Sequence, residues 1–454
     1  MGKPWAKLLK PDSLSGLQIV QLIRYGALFA MGILLARSDF SKATIGNFES
    51  LLFLTGAVSF FWVTGIIQSL LPLYNKSISF GHSAHDRKSP ELFNAFVMLM
   101  LFSLFAAGLV LFIGKWLSGF LNAELGQSMI YYLAAFVFFQ SPASLIEYIY
   151  LLKKRPVQMI RYGWLAFGFQ FLAVSFTILA GFELEWVLLA LVGSALIRFI
   201  WLLVILGKYS KFRFLGSFFK EHFSLGLPII ISVFLSGSAQ YVDGLIITGY
   251  YDQAVFAVFR YGARELPLVA LLAHALSSAM VPEIAQKGVV SGLKNLKTRS
   301  SELAGWLFPL TLILILTSHV LFLILYDERF VESATIFNIY LLVISTRLLF
   351  PQTLLIAFKK TNFLVIASGL ELVMNISLSL VFIQFMGIKG VAYATLVAYL
   401  FERIVLIIYV KLILGLPVSQ YTNLRKHLVW SVVILLAFLF TELFFGDFLN
   451  QLIS

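Results

Sequence analysis

"LSGLQIVQLIRYGALFAMGILLA", residues 14–36, is an apolar run with one charged side chain, Arg24, near its middle. A helix rises about 1.5 Å per residue, so a run of this length crosses the ~30 Å hydrocarbon core of a bilayer. Twelve more windows of this kind follow, near 48–74, 91–114, 128–152, 157–182, 184–206, 224–249, 254–283, 303–325, 334–358, 362–386, 390–411 and 428–446. Over its 454 residues the chain is 60% hydrophobic and 12% charged, with a mean hydropathy of +0.92. A soluble protein of that composition would expose most of its apolar surface, so the expected fold is an all-α polytopic membrane protein. The absence of cysteine excludes disulfides and thiolate metal sites. The start, MGKPWAKLLKPDSLSG, lacks the short apolar stretch and small-residue cleavage site of a removable signal peptide.

The basic residues in the connections orient these windows. One side receives 22 of the 34, in clusters such as Lys3, Lys7 and Lys10, Lys153, Lys154 and Arg155, and Lys287, Lys294, Lys297 and Arg299. The other has five: Arg37, Lys42, Lys115, Arg329 and Lys389. By the positive-inside rule the basic side and the N-terminus are cytoplasmic, in a bacterial inner membrane on the family reading below. The net charge of +12 then reports orientation in a membrane, with no nucleic-acid partner implied. Two outward connections, "FELE" (182–185) and "YDERFVE" (326–332), are short and acidic, and no outer domain is available for catalysis.

Residues 1–206 hold six windows and 224–411 six more, around a basic segment 207–223 where Phe212, Leu215 and Phe219 fall at helical spacing. That pattern predicts an interfacial cytoplasmic linker between two lobes. "SLLPLYNK" (69–76) and "AMVPEIAQK" (279–287) place a proline alike near the ends of the second and eighth windows. The match is consistent with a parallel internal repeat, chance likeness of apolar strings being the alternative. Residues 412–454 add a thirteenth helix outside the repeat.

Seven arginines lie within windows, and Arg24, Arg260, Arg264, Arg347 and Arg403 sit deepest, with Glu265, Glu371 and Glu402. Each charge costs on the order of 3 kcal/mol at a helix centre, so these groups are expected to face a watery cavity or one another. Arg260 and Arg264, four apart, share a face of one helix. A guanidinium stays charged and grips phosphate in a bidentate fork, so Arg24, Arg260, Arg264 and Arg347 are candidate diphosphate binders. Interhelical ion pairs are the alternative. Arg161 and Arg198, nearer the cytoplasmic ends, read as anchors reaching headgroups. Pro267 and Pro351 follow charged positions and are candidate hinges. Glu371 and Glu402, with Glu147 behind them, are candidate sites for coupling to an H+ or Na+ gradient. His82 and His85 form an H-x-x-H without a third ligand, and there is no nucleotide or dinucleotide fingerprint. No cofactor is expected.

"YVDGLIITGYYDQAVFAVFRYGARELPLVALLAHALSSAMVPEIAQ" (241–286) resembles the start of the second lobe in the polysaccharide-biosynthesis branch (Wzx-type oligosaccharide flippases) of the multidrug/oligosaccharidyl-lipid/polysaccharide flippase superfamily. Residues 64–76, 323–349 and 361–405 are similar to other helices of that family. The resemblance implies two six-helix lobes in a V around a central cavity. It also implies a transporter rather than an enzyme, moving an undecaprenyl-diphosphate-linked oligosaccharide from the cytoplasmic to the outer leaflet. Cationic cavity residues of the family transfer to Arg24 and Arg260. Membrane lipid and polysaccharide polymerase machinery are the partners implied. The competing readings are an ion-coupled exporter of cationic drugs, for which an acid-rich cavity is expected, and a glycan polymerase or ligase, for which a sizeable outer loop is expected.

Overall fold

The computed structural model describes residues 13–79, 88–120, 127–264, 267–287 and 289–453. His82, His85 and Glu265 lie outside them. Among the described residues the chain is helical, with no strand beyond an isolated bridge between Ser89 and Ser210. In hydrocarbon each backbone amide must be satisfied within its own segment, and a helix does this locally.

One compact unit comprises residues up to Ser238 together with Asp252–Ala254. It contains α1 (Ser13–Ala36), α2 (Lys42–Ser79), α3 (Pro90–Phe120), α4 (Gln127–Ala143), α5 (Leu145–Leu152), α6 (Pro156–Leu179), α7 (Leu184–Tyr209) and α8 (Gly216–Gly237). Helix α1 packs along α6, α2 along α8, and α4 between α3 and α7. The imidazole Nε2 of His222 on α8 lies 2.8 Å from the carbonyl of Ile66 on α2.

The other unit comprises Ala239–Tyr251 and the chain from Val255. It contains α9 (Ala239–Tyr250), most of α10 (Gln253–Gly262), α11 (Pro267–Lys287), α12 (Val289–Leu325), α13 (Glu332–Arg347), α14 (Pro351–Ala357), α15 (Thr361–Leu414), α16 (Val418–Tyr421) and α17 (Leu424–Ile453). Helix α13 is buried along nearly its whole length and packs on α12, α15 and α17. Met280, Leu296, Leu354, Leu406 and Tyr421 belong to one core that joins α11, α12, α14, α15 and α16.

Nine helices among the described residues are long and apolar enough to cross a membrane, and α13 with α14, bent by 43°, makes a tenth. The three remaining windows fall on interrupted helices. Window 254–283 is split into α10 and α11, and windows 362–386 and 390–411 are the two limbs of α15, which turns at Gly387 (φ 59°, ψ −142°). That left-handed conformation is open to glycine without a steric penalty. Large side chains such as Phe112, Trp306 and Phe385 stand more than three-quarters exposed, as a lipid-facing surface requires.

Pro267 and Pro351, the candidate hinges, stand at interruptions between helices: each is the first residue of a new one, a position that proline suits, and the span formed by α13 and α14 bends by 43° there. One sequence expectation changes. The segment before α8 is extended rather than helical up to Leu215. Its backbone is held by the start of α3: Lys211 donates to the Ser89 carbonyl at 3.1 Å, and Asn94 Nδ2 donates to the Arg213 carbonyl at 3.0 Å. The Leu215 amide donates back to Asn94 Oδ1 at 3.0 Å. Phe212 still stands exposed on that segment.

The repeated Arg-Tyr-Gly serves unlike surroundings. A Cβ on Gly262 would lie 2.4 Å from the Ser333 carbonyl oxygen and 2.6 Å from Ile336 Cβ, whereas one on Gly26 would meet nothing within 4 Å. Gly262→Ala should therefore destabilise the protein by about 1–3 kcal/mol through overpacking. Gly26→Ala should leave it unchanged, both read as thermal unfolding midpoints in detergent.

Candidate functional site

In the first unit, Arg24 donates from Nη2 to Oε1 of Glu147 on α5. Glu147 is 3% exposed, while the Arg24 side chain keeps 30% of its surface accessible. The pair thus joins a part-accessible arginine side chain, whose Nε is buried without a hydrogen-bond partner, to a buried carboxylate. Phe167 on α6 lies beside it, its ring centroid 5.0 Å from Arg24 Cζ and 5.1 Å from Cζ of Arg198 on α7. A ring face attracts a guanidinium, more strongly where water is excluded. Arg198 is 3% exposed, and its Nε and Nη2 are buried without a hydrogen-bond partner. It does not reach for headgroups, because its face of α7 is turned into the bundle. Arg161 is exposed on α6.

In the second unit, Asp243 on α9 is buried, and its Oδ2 accepts hydrogen bonds from the Tyr340 hydroxyl of α13 and from Thr395 Oγ1 of α15 at 2.6 Å. Asn375 Nδ2 donates to the same threonine hydroxyl at 3.0 Å. Glu371, 4% exposed on the other limb of α15, has Glu402, Asp243 and Arg347 as its electrostatic neighbours, and its Oε1 is buried without a hydrogen-bond partner. Glu402 accepts from Ser368 Oγ at 3.1 Å and lies 3.8 Å from an Nη of Arg403, which also donates to Gln352. Arg347 ends α13 with its Cζ 5.3 Å from the Tyr399 ring. Three carboxylates and two guanidiniums therefore share this part of the unit.

Arg260 is half-buried in the last turn of α10. Arg264 is not on the same helical face, since α10 ends at Gly262 and the break before Pro267 intervenes. It folds instead over the Tyr261 ring at 4.7 Å, and that ring stacks on Tyr326 at 4.9 Å. The structure thus pairs Arg24 with Glu147 and Glu402 with Arg403, and places Arg347 among the electrostatic neighbours of Glu371. Two features lay outside the sequence-based candidates. Asp243 is quoted within the family-like stretch without a role, and Arg198 was assigned to an anchor. Among the described residues no group of three or more His, Cys, Asp or Glu is placed to hold a metal ion.

A family model described as "Polysaccharide biosynthesis protein" matches residues 77–335, more than half of the chain. The chain belongs to that family. It is a multi-pass membrane protein. No curated relative matches it. Among solved structures, it is similar to the lipid II flippase MurJ in an inward closed conformation, at 16% identity, TM-score 0.68, and coverage of 96% of this chain and 99% of that one. An inward-facing multidrug resistance MATE transporter is similar at 14% identity and TM-score 0.63, covering 88% and 97%. A superfamily transporter from Pyrococcus furiosus, whose binding pocket is described as having reverse polarity, is similar at 14% identity and TM-score 0.54, covering 90% and 97%. These likenesses concern the fold.

The Asp243 network is open to a direct test. Asp243→Ala removes the acceptor of the Tyr340 hydroxyl and leaves Thr395 Oγ1 only the Val391 carbonyl at 3.2 Å, and should cost on the order of 2 kcal/mol. Asp243→Asn, which keeps an acceptor oxygen, should cost less, both measured as melting midpoints of the detergent-solubilised protein.

Proposed function

We propose that this protein moves an undecaprenyl-diphosphate-linked oligosaccharide from the cytoplasmic to the outer leaflet of a bacterial inner membrane, by alternating access, for surface polysaccharide synthesis. The observation that carries the reading is Arg24: an arginine midway along an apolar helix, its side chain 30% accessible and its Nη2 held by buried Glu147. Such a group costs several kcal/mol to place, and a guanidinium's fork of N–H donors matches phosphate oxygens. Arg260, Arg264 and Arg347 are the further arginines assigned to the diphosphate. The family match supports a cargo in polysaccharide synthesis. The excess of basic residues in one set of connections supports a cytoplasmic N-terminus.

The carboxylates of the second unit argue for ion coupling rather than for an organic cation as cargo. Asp243 and Glu371 are 5% and 4% exposed, which closes them to a drug-sized molecule. Glu371, Glu402 and Asp243 are thus the groups that would take up H+ or Na+. Downstream polymerase machinery is the partner this cargo requires.

Translocation of a fluorescent undecaprenyl-diphosphate oligosaccharide in proteoliposomes tests the reading. Arg24→Ala, made alone and together with Glu147→Gln so that no unpaired carboxylate stays buried, should abolish transport, as should Arg260→Ala. Arg161→Ala should cost little. Transport retained by both Arg24→Ala and Arg260→Ala would remove the diphosphate role. Glu371→Gln should leave a basal rate that no longer responds to an imposed proton or sodium gradient.

A further inference from the structure

Around Phe167 two guanidiniums and one carboxylate are placed so that only one arginine is paired. Arg24 holds Glu147. Arg198 faces the same ring with two buried nitrogens lacking a hydrogen-bond partner, and Glu147 is among its electrostatic neighbours. Leaving a buried ion without a partner is costly, by several kcal/mol, and Arg198 occupies a helix face where an apolar residue would pack without that cost.

We propose that Glu147 is an exchangeable counter-ion, paired with Arg24 while the protein is empty and transferred to Arg198 when a lipid diphosphate occupies Arg24. The inference rests on reading Arg24 as a diphosphate-binding arginine. A diphosphate arriving at Arg24 brings at least two negative charges beside the Glu147 carboxylate. If that carboxylate had nowhere to go, binding would have to overcome like-charge repulsion and strand a buried anion. Arg198 removes both penalties by offering, beside the same ring, buried N–H donors that lack a partner. One ion pair replaces another, so the exchange itself is nearly neutral, and the affinity of Arg24 for phosphate is expressed rather than spent on displacing Glu147. Phe167 stands against both arginines, and α5, only eight residues long between Ser144 and the turn at Lys153 and Lys154, carries the carboxylate. Arg198 is therefore a positioning residue for binding and touches no cargo.

The test is a double-variant cycle on the full-length, detergent-solubilised protein, with farnesyl diphosphate as the probe and binding read by titration calorimetry. Arg198→Gln should weaken binding about tenfold, the factor matching one charge-assisted hydrogen bond. Arg198→Lys, which keeps the charge, should bind nearly as the unmodified protein does. Glu147→Gln should bind more tightly, because Arg24 is no longer neutralised. In the Glu147→Gln background, Arg198→Gln should have no further effect, since there is no carboxylate to receive. Equal weakening by Arg198→Gln with and without Glu147 would mean packing or direct contact, and would overturn the exchange, as would no weakening at all. Should Arg198→Gln fail to fold, Glu147→Gln decides alone: weaker binding overturns the proposal. If neither the unmodified protein nor Glu147→Gln binds the diphosphate, the cargo reading fails and the exchange with it. If the probe binds and the cycle fails, the exchange alone is lost.

Discussion

Inside hydrocarbon a backbone amide without a carbonyl partner costs several kcal/mol, and the features of this chain that bear on function gather where helices stop. α10 ends at Gly262, beside Arg260 and before Arg264. α13 ends at Arg347, and α14 restarts at Pro351. α15 turns at Gly387. At each break the chain uses a residue suited to it: proline where no N–H is needed at a helix start, glycine where φ is positive. The arginines at two of these breaks are further steadied by aromatic faces, Tyr261 for Arg264 and Tyr399 for Arg347. Interrupted helices and charged side chains are thus one arrangement.

Charges buried in the two units are handled differently. In the first, around Phe167, two guanidiniums stand with one carboxylate, Glu147, which pairs with Arg24. In the second, Asp243, Glu371 and Glu402 outnumber Arg347 and Arg403, and hydroxyl and amide donors from Tyr340, Thr395, Ser368 and Asn375 take up part of the excess.

Much of the architecture was readable because its signal is local. A window of apolar residues long enough to cross a bilayer needs no knowledge of its neighbours, and the turn at "MGIKG" is marked by its own glycines. The division of window 254–283 was not, because a proline in a membrane segment reads equally as a tolerated bend or as a helix start. Arg198 was misplaced for another reason. On a helix apolar all round, periodicity marks no buried face, so depth along the helix was the only guide, and packing against α6 decided otherwise. Asp243 stood in a recognisable stretch, but its hydroxyl donors lie 97 and 152 residues further along, beyond any spacing argument. Glu147 showed as a buried acid in sequence, while its pairing with Arg24, 123 residues away, needed the fold.

The turn at Gly387 also bears on how the chain enters a membrane. It folds residues 361–414 into a helical hairpin in which Ser368 of the first limb meets Glu402 of the second, beside Arg403. The second limb threaded alone would carry Glu402 with Arg403 but without its hydroxyl donor. Received by the insertion machinery as a pair, the hairpin brings that donor as well, so more of the solvation of the acid is built into the nascent segment before the rest of the bundle assembles.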